Sequence, residues 1–212
     1  PTFTTGQITN ITLTFSGTSY GLTVANRLVT SNNYSNILGD GNVSYDVENH
    51  KLTLNGVALT NPIHWGTNAD LTIELKGTNS MNTTNGVCIS SEYSKEISFT
   101  GGGDNCSLEF SRVTDDHFFS GFSNVNNPSM GDGMYWIPTE NNGTITSALI
   151  TNSILGGGKG TEGSPFTIST FDELKTFAKY VNDGILSTEY VKLGGNIDCT
   201  KQPGFEPIDN TP

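Results

Sequence analysis

Asp70-Leu71-Thr72-Ile73-Glu74-Leu75-Lys76-Gly77 puts Leu71, Ile73 and Leu75 on one side of an extended chain and Thr72, Glu74 and Lys76 on the other, then stops at a glycine. A period of two describes a β-strand with one buried face. The same figure recurs in Lys51-Leu52-Thr53-Leu54-Asn55-Gly56, in Glu96-Ile97-Ser98-Phe99-Thr100-Gly101 and, upstream, in Ile11-Thr12-Leu13-Thr14-Phe15. Between the bursts stand Gly and Asn, which tolerate the positive φ of sharp corners. The unit returns about every 20 to 25 residues, the range of one solenoid turn. Each strand is too short to bury its apolar face alone, so neighbours must stack about 4.8 Å apart around a common core. A parallel β-solenoid is the leading expectation. An antiparallel sandwich is the rival, because short strands with Gly-rich turns suit it too, and Asn55-Gly56 has the chemistry of a hairpin turn.

Composition supports a folded β-rich chain. Only 33% of the 212 residues are hydrophobic, and Gly, Asn, Thr and Ser make up nearly half the chain. Charged residues are only 15%, so low hydrophobicity does not come with the dense charge of disorder. Ten Lys and Arg against 21 Asp and Glu give a formal charge of -11, which repels a phosphate backbone and argues against nucleic acid as a partner. No apolar run approaches the roughly 20 residues of a membrane span. The opening Pro1-Thr2-Phe3, without Met, leads us to expect a mature chain whose export signal has been removed. Cys88, Cys106 and Cys199 lack CxxC spacing and announce neither a disulfide framework nor a zinc site.

Along the chain, residues 1–155 read as the solenoid, with an irregular insertion at 113–142 that carries Phe118, Phe119, Phe122, Tyr135 and Trp136. Residues 156–165, Gly156-Gly157-Gly158-Lys159-Gly160-Thr161-Glu162-Gly163-Ser164-Pro165, have the composition of a linker. A helix is expected at about 170–183. Ser169 or Thr170 can cap it, Asp172 and Glu173 suit its first turn, and Gly184 can end it. Phe171, Leu174, Phe177, Ala178 and Val181 form its apolar stripe. Strands at Phe166–Ile168 and Tyr190–Leu193 flank it. Some 50 residues with one helix make a poor independent core, so 166–212 reads as part of a second module or as a tail packed on the first.

Tyr20-Gly21-Leu22, Val29-Thr30-Ser31, the run Asn36 to Asp46 and Leu52-Thr53-Leu54-Asn55-Gly56 resemble the opening of repeat modules in large secreted surface proteins of gut bacteria. Leu71 to Asn79 resembles their next coil. The likeness covers roughly residues 20 to 110. It implies a right-handed parallel β-helix of a type often described as carbohydrate-binding, displayed outside the cell beside neighbouring modules. Gly160 to Ile168, Glu173-Leu174, Val181-Asn182, Tyr190 to Leu193, Asn196-Ile197-Asp198 and Phe205 to Ile208 resemble the start of a pectate-lyase-like β-helix. There the first helix caps the open end of the solenoid. Neither resemblance brings a catalytic motif.

The candidate chemistry is sparse. Gly156 to Thr161 lacks the Gly-Lys-Ser/Thr of a phosphate loop, and HExxH and EF-hand spacings do not occur. Asp104, Asp115, Asp116 and Asp132 can supply oxygen ligands to calcium or a carboxylate pair for glycosidase work, or can be turn residues bonded to backbone N–H groups. A lyase on this fold wants basic residues near calcium, and Arg27 and Arg112 are the only arginines. Sugar stacking needs exposed aromatic faces, for which Trp65, Tyr135 and Trp136 lie in loop-like surroundings. The alternative is an insertion that buries its aromatics as a lid. Cys88 and Cys106, 18 residues apart, are either small buried thiols or a disulfide between coils.

The expectation is therefore an all-β, right-handed parallel β-helix with one short α-helix, serving as an exported, non-catalytic surface module that binds a polysaccharide, whether a host or a dietary glycan, or acts in adhesion. Trp65, Tyr135 and Trp136 are its candidate ligand-binding residues, and Asp115, Asp116 and Asp132 its candidate calcium ligands. The alternatives are a lyase-like or glycosidase-like enzyme and a structural spacer.

Overall fold

The computed structural model describes residues 17–83, 87–112, 118–141, 144–200 and 205–208. The expected strand at Ile11–Phe15 and the carboxylates Asp115 and Asp116 lie outside them. The described residues form a right-handed parallel β-solenoid walled by three five-stranded sheets, with one α-helix and a two-stranded sheet toward the C-terminus. It begins with two hairpins: β1 (Ser19–Val24) with β2 (Arg27–Thr30), and β3 (Val43–Asp46) with β4 (Lys51–Asn55). β4, β5 (Ala58–Leu59) and β6 (Ile63–Trp65) form the first coil, and β7 (Leu71–Lys76), β8 (Thr78–Thr83) and β9 (Ile89–Ser91) the second. The third is β10 (Ile97–Gly101), β11 (Ser107–Arg112) and β12 (Phe119–Ser120). Each strand pairs in parallel with its counterpart one coil on.

The parallel ladders remove the sandwich, and antiparallel pairing is confined to the ends. Asn55-Gly56 is a corner between β4 and β5, where Gly56 (φ +67) lies against the stacked Gly77 (φ +60) and its N–H donates to Lys76 O at 3.0 Å. The repeat is longer and less regular than expected. Lys51 stands beside Thr72, 21 residues on, Leu71 beside Ile97, 26 on, and Ser98 beside Ser129, 31 on. The loops absorb the difference while the strands hold register.

Period-two patterning sends three columns of side chains inward, each carried to the third coil by the parallel register. They are Leu52, Ile73 and Phe99, then Ile63, Ile89 and Phe119, then Leu59, Met81 and Phe110, all buried. Burying each such side chain is worth about 1.5–3 kcal/mol. On the third coil all three columns hold phenylalanine. Phe99, Phe110 and Phe119 meet with centroids 5.4–6.4 Å apart, and Phe118 and Trp136 pack on them. At the other end Tyr45, Trp65, His50 and Tyr20 form a second aromatic group. An open solenoid end exposes apolar side chains, and rings cover much area with few rotatable bonds.

Asn79, buried, pins one corner across three coils. Its Oδ1 accepts from Val57 N–H at 3.0 Å, and its Nδ2 lies within 3.0–3.2 Å of the carbonyls of Lys76, Gly77 and Ser107.

After β13 (Ser129–Met130), β14 (Tyr135–Asn141) and β15 (Thr144–Thr151) leave the coil pattern. β15 runs antiparallel to β11, and β14 antiparallel to β15. β16 (Phe166–Ile168) then pairs in parallel with β17 (Val191–Leu193) across α1 (Phe171–Asn182). Thr170 caps the helix and Glu173 closes a capping box, accepting from Thr170 N–H at 3.1 Å; Gly184 at φ +72 follows its end. Ile154, Leu155, Phe166, Ile168 and Leu186 form a second, smaller core, against which Leu174, Phe177 and Val181 of the helix stripe pack. Tyr135 and Ile137 of β14 face this core, whereas Trp136 between them faces the first. Among the described residues no helix is long and apolar enough to cross a membrane.

Candidate polar cleft at the corner of the solenoid

The expected aromatic platforms do not form one. Trp65 is fully buried, with Ile63 beside it on the inward side of β6, and its indole N–H donates to Ala69 O at 2.7 Å. It has no face to offer a sugar, which corrects the expectation for this residue: strand parity, and not the flanking Gly66, decides where it points. Trp136 is half-buried against Phe110, Phe118 and Phe119. Tyr135 packs on Phe166 and bonds to Glu189; burial first, and then the Glu189 charge, push its phenol up to about 12. Phe118, Phe119 and Phe122 are buried in the main core.

Asp132 is exposed in the turn Gly131–Gly133. Asp115 and Asp116 fall outside the described residues, among which no group of three His, Cys, Asp or Glu is arranged for a metal. Cys88 and Cys106 are buried and are not joined in a disulfide. Cys106 lies 4.0 Å from the Met134 sulfur, and burial raises its pKa.

His64 lies between Ser90 Oγ, 2.9 Å from its Nδ1, and Glu92 Oε1, 3.2 Å from its Nε2. The order of groups is that of a nucleophile, a base and an orienting acid. The setting is that of a tie between coils. His64 and Ser90 are paired rungs on the outer side of their sheet, and Glu92 is more than half exposed. β9 lies between β6 and β12, and the Ile89 and Glu92 N–H groups donate to Phe118 and Trp65 carbonyls. These amides are therefore already engaged and do not form an oxyanion hole.

A polar cleft of about 310 Å³ opens where the corner 101–106 meets the 156–164 loop. Topology creates it: the β15 return sets Thr151 beside Ser107, so Asn152 arrives next to Cys106. Asn152 Oδ1 accepts from Cys106 N–H at 2.9 Å, and its Nδ2 donates to Gly103 O at 2.7 Å. That pair of bonds fixes the corner that holds Asp104 and Asn105, the latter at φ +54.

Opposite, the 156–165 stretch is a bonded loop. Lys159 N–H donates to Ser164 O at 2.8 Å, Ser164 N–H to Thr161 O at 3.1 Å, and Thr167 N–H to Gly157 O at 2.8 Å. Gly158 is pressed against Pro165, whose carbonyl oxygen would lie 2.0 Å from an added Cβ. The lining is Asp104, Asn105, Asn152, Ser153, Lys159 and Ser164, with Gly157 and Gly158 leaving backbone exposed. Lys159 Nζ reaches Asp104 Oδ1 at 3.3 Å across the opening.

In the sequence Asp104 stood as a candidate carboxylate ligand or a turn residue, Gly101–Gly103 as a turn, and 156–165 as a linker, which the structure instead shows as a hydrogen-bonded loop. Their meeting depends on an antiparallel return that no local pattern signals. No protein-family model, curated protein or solved structure matches the chain, so the fold is assigned from its own strand ladders.

Proposed function

We propose that this chain is a non-catalytic module of an exported cell-surface protein and that it binds glycan, or mediates adhesion through glycan, at the corner cleft. The resemblance to surface repeat modules motivates the setting, including the division into a 1–155 helix domain and a partial 166–212 module. The observation that carries the binding assignment is the cleft itself. Carboxylate, ammonium, amide and hydroxyl groups converge on a space of about 310 Å³ beside unshielded glycine backbone, a donor and acceptor set suited to a polyhydroxylated ligand.

The test is retention on a glycan array and in polysaccharide affinity gels. Wild-type protein is expected to be retained by at least one glycan, and Ser153→Tyr, which fills the cleft without removing a charge, to lose that retention. No retention across plant, host and microbial glycans overturns the assignment. A spacer is the second reading, favoured by the way side-face polar groups pair with one another: Lys51 and Lys76 with Glu74, and Thr72 with Ser98. An intact solenoid with neither binding nor turnover is its signature. Release of unsaturated or reducing sugars from polymers in the presence of calcium would instead establish an enzyme.

A further inference from the structure

We infer that the cleft takes a neutral sugar through a vicinal diol, gripped between Asp104 and Lys159; the inference rests on the glycan assignment above. The two groups bridge at 3.3 Å while 79% and 66% of their side chains remain exposed. So exposed a pair holds itself together only weakly, and a ligand can open it at little cost. A diol suits the opened pair. One hydroxyl donates to the Asp104 carboxylate and its neighbour accepts from the Lys159 ammonium, replacing one ion pair with two charge-assisted hydrogen bonds.

Charge excludes the acidic alternative. The lining carries one negative and one positive group, and the chain as a whole carries -11, so a uronate approaches against the field and competes with Asp104 for the single ammonium. Asn152 is a positioning residue here, since its amide is engaged by Cys106 N–H and Gly103 O. Ser153, Ser164 and Asn105 remain to read further hydroxyls. The lining contains no aromatic ring, so the sugar is held by its hydroxyl edge and not by its C–H face.

The test is affinity electrophoresis through gels of neutral polymers (galactomannan, arabinan, xylan and β-glucan) and of polyanions (polygalacturonate and alginate). Wild-type protein is expected to be retarded by at least one neutral polymer and by neither polyanion. Asp104→Ala and Lys159→Ala are each expected to weaken retardation about tenfold or more, the scale of one charge-assisted hydrogen bond. Because the pair is exposed, the melting temperature of both variants should match wild type, which separates lost binding from lost fold. Retardation by the polyanions, or by a neutral polymer equally well in both variants, overturns the diol inference while leaving glycan binding in place. No retardation in any gel overturns both.

Discussion

Glu74 shows what a single outward side chain does on a solenoid wall. It stands on β7 between Lys51, 3.1 Å away on the preceding coil, and Lys76 at 3.0 Å, and it accepts from the Thr53 hydroxyl at 3.1 Å. Partial burial raises its pKa, but hydrogen bonds from Lys76, Lys51 and Thr53 outweigh that and hold it below the ordinary value of 4.5. A carboxylate depressed in the folded state adds stability above its unfolded pKa and loses it as pH falls through the folded value. Urea midpoints measured from pH 7 to pH 3 should therefore drop below about pH 4.5, and more gently in Glu74→Gln than in wild type. Parallel profiles would remove Glu74 from the acid response. The outward position of Glu74 was legible in the Leu71–Leu75 alternation, whereas its partner Lys51 was not, because the step between coils varies from 21 to 31 residues. Trp65 is the reverse case. Its Gly neighbour suggested a loop, although Ile63-His64-Trp65 already carried the parity of a strand with His64 outward.

At the scale of elements, the strands were readable and their junctions only partly so. Gly- and Asn-rich corners announced themselves, but Ala25 and His50 also take positive φ in turns, and neither residue type gives such a sign. The start of α1 was legible because its chemistry is local: of the two candidate caps, Ser169 and Thr170, it is Thr170 that caps, and the first-turn Glu173 completes a capping box. The third coil depends on a junction of another kind. Gly121 ends β12 at φ +78, and a Cβ there would lie 1.9 Å from the Ser91 carbonyl oxygen of the coil below. Neither backbone can yield without parting β9 from β12, which carries Phe119 into the aromatic plug. Gly121→Ala is expected to destabilise the fold by about 2 kcal/mol or more, the strained backbone and the clash acting together. Gly195→Ala, with open space around the added methyl, is the matched control. Thermal denaturation separates them, and equal melting temperatures would mean that the coils are not in the contact argued for here.

At the scale of the whole molecule, the two cores differ greatly in size and share one strand. Among the described residues the second core has five buried members, too few to stand alone, and it borrows Tyr135 and Ile137 from β14. Trp136, on the opposite side of that strand, belongs to the first core, as does Trp65. The two tryptophans are the only ones in the chain, so indole fluorescence follows the solenoid. Ellipticity at about 222 nm follows α1, the helix among the described residues. The arrangement makes the C-terminal unit dependent on the solenoid but not the reverse. In urea, the helix signal of wild-type protein should be lost at or before the fluorescence transition, never after it. Ile137→Ser removes apolar contact from the second core alone, so it should move the helix transition to lower urea and the fluorescence transition less. A helix that outlasts the indole transition would show that residues 166–208 hold themselves together, and β14 would then be a neighbour of the second core and not its foundation.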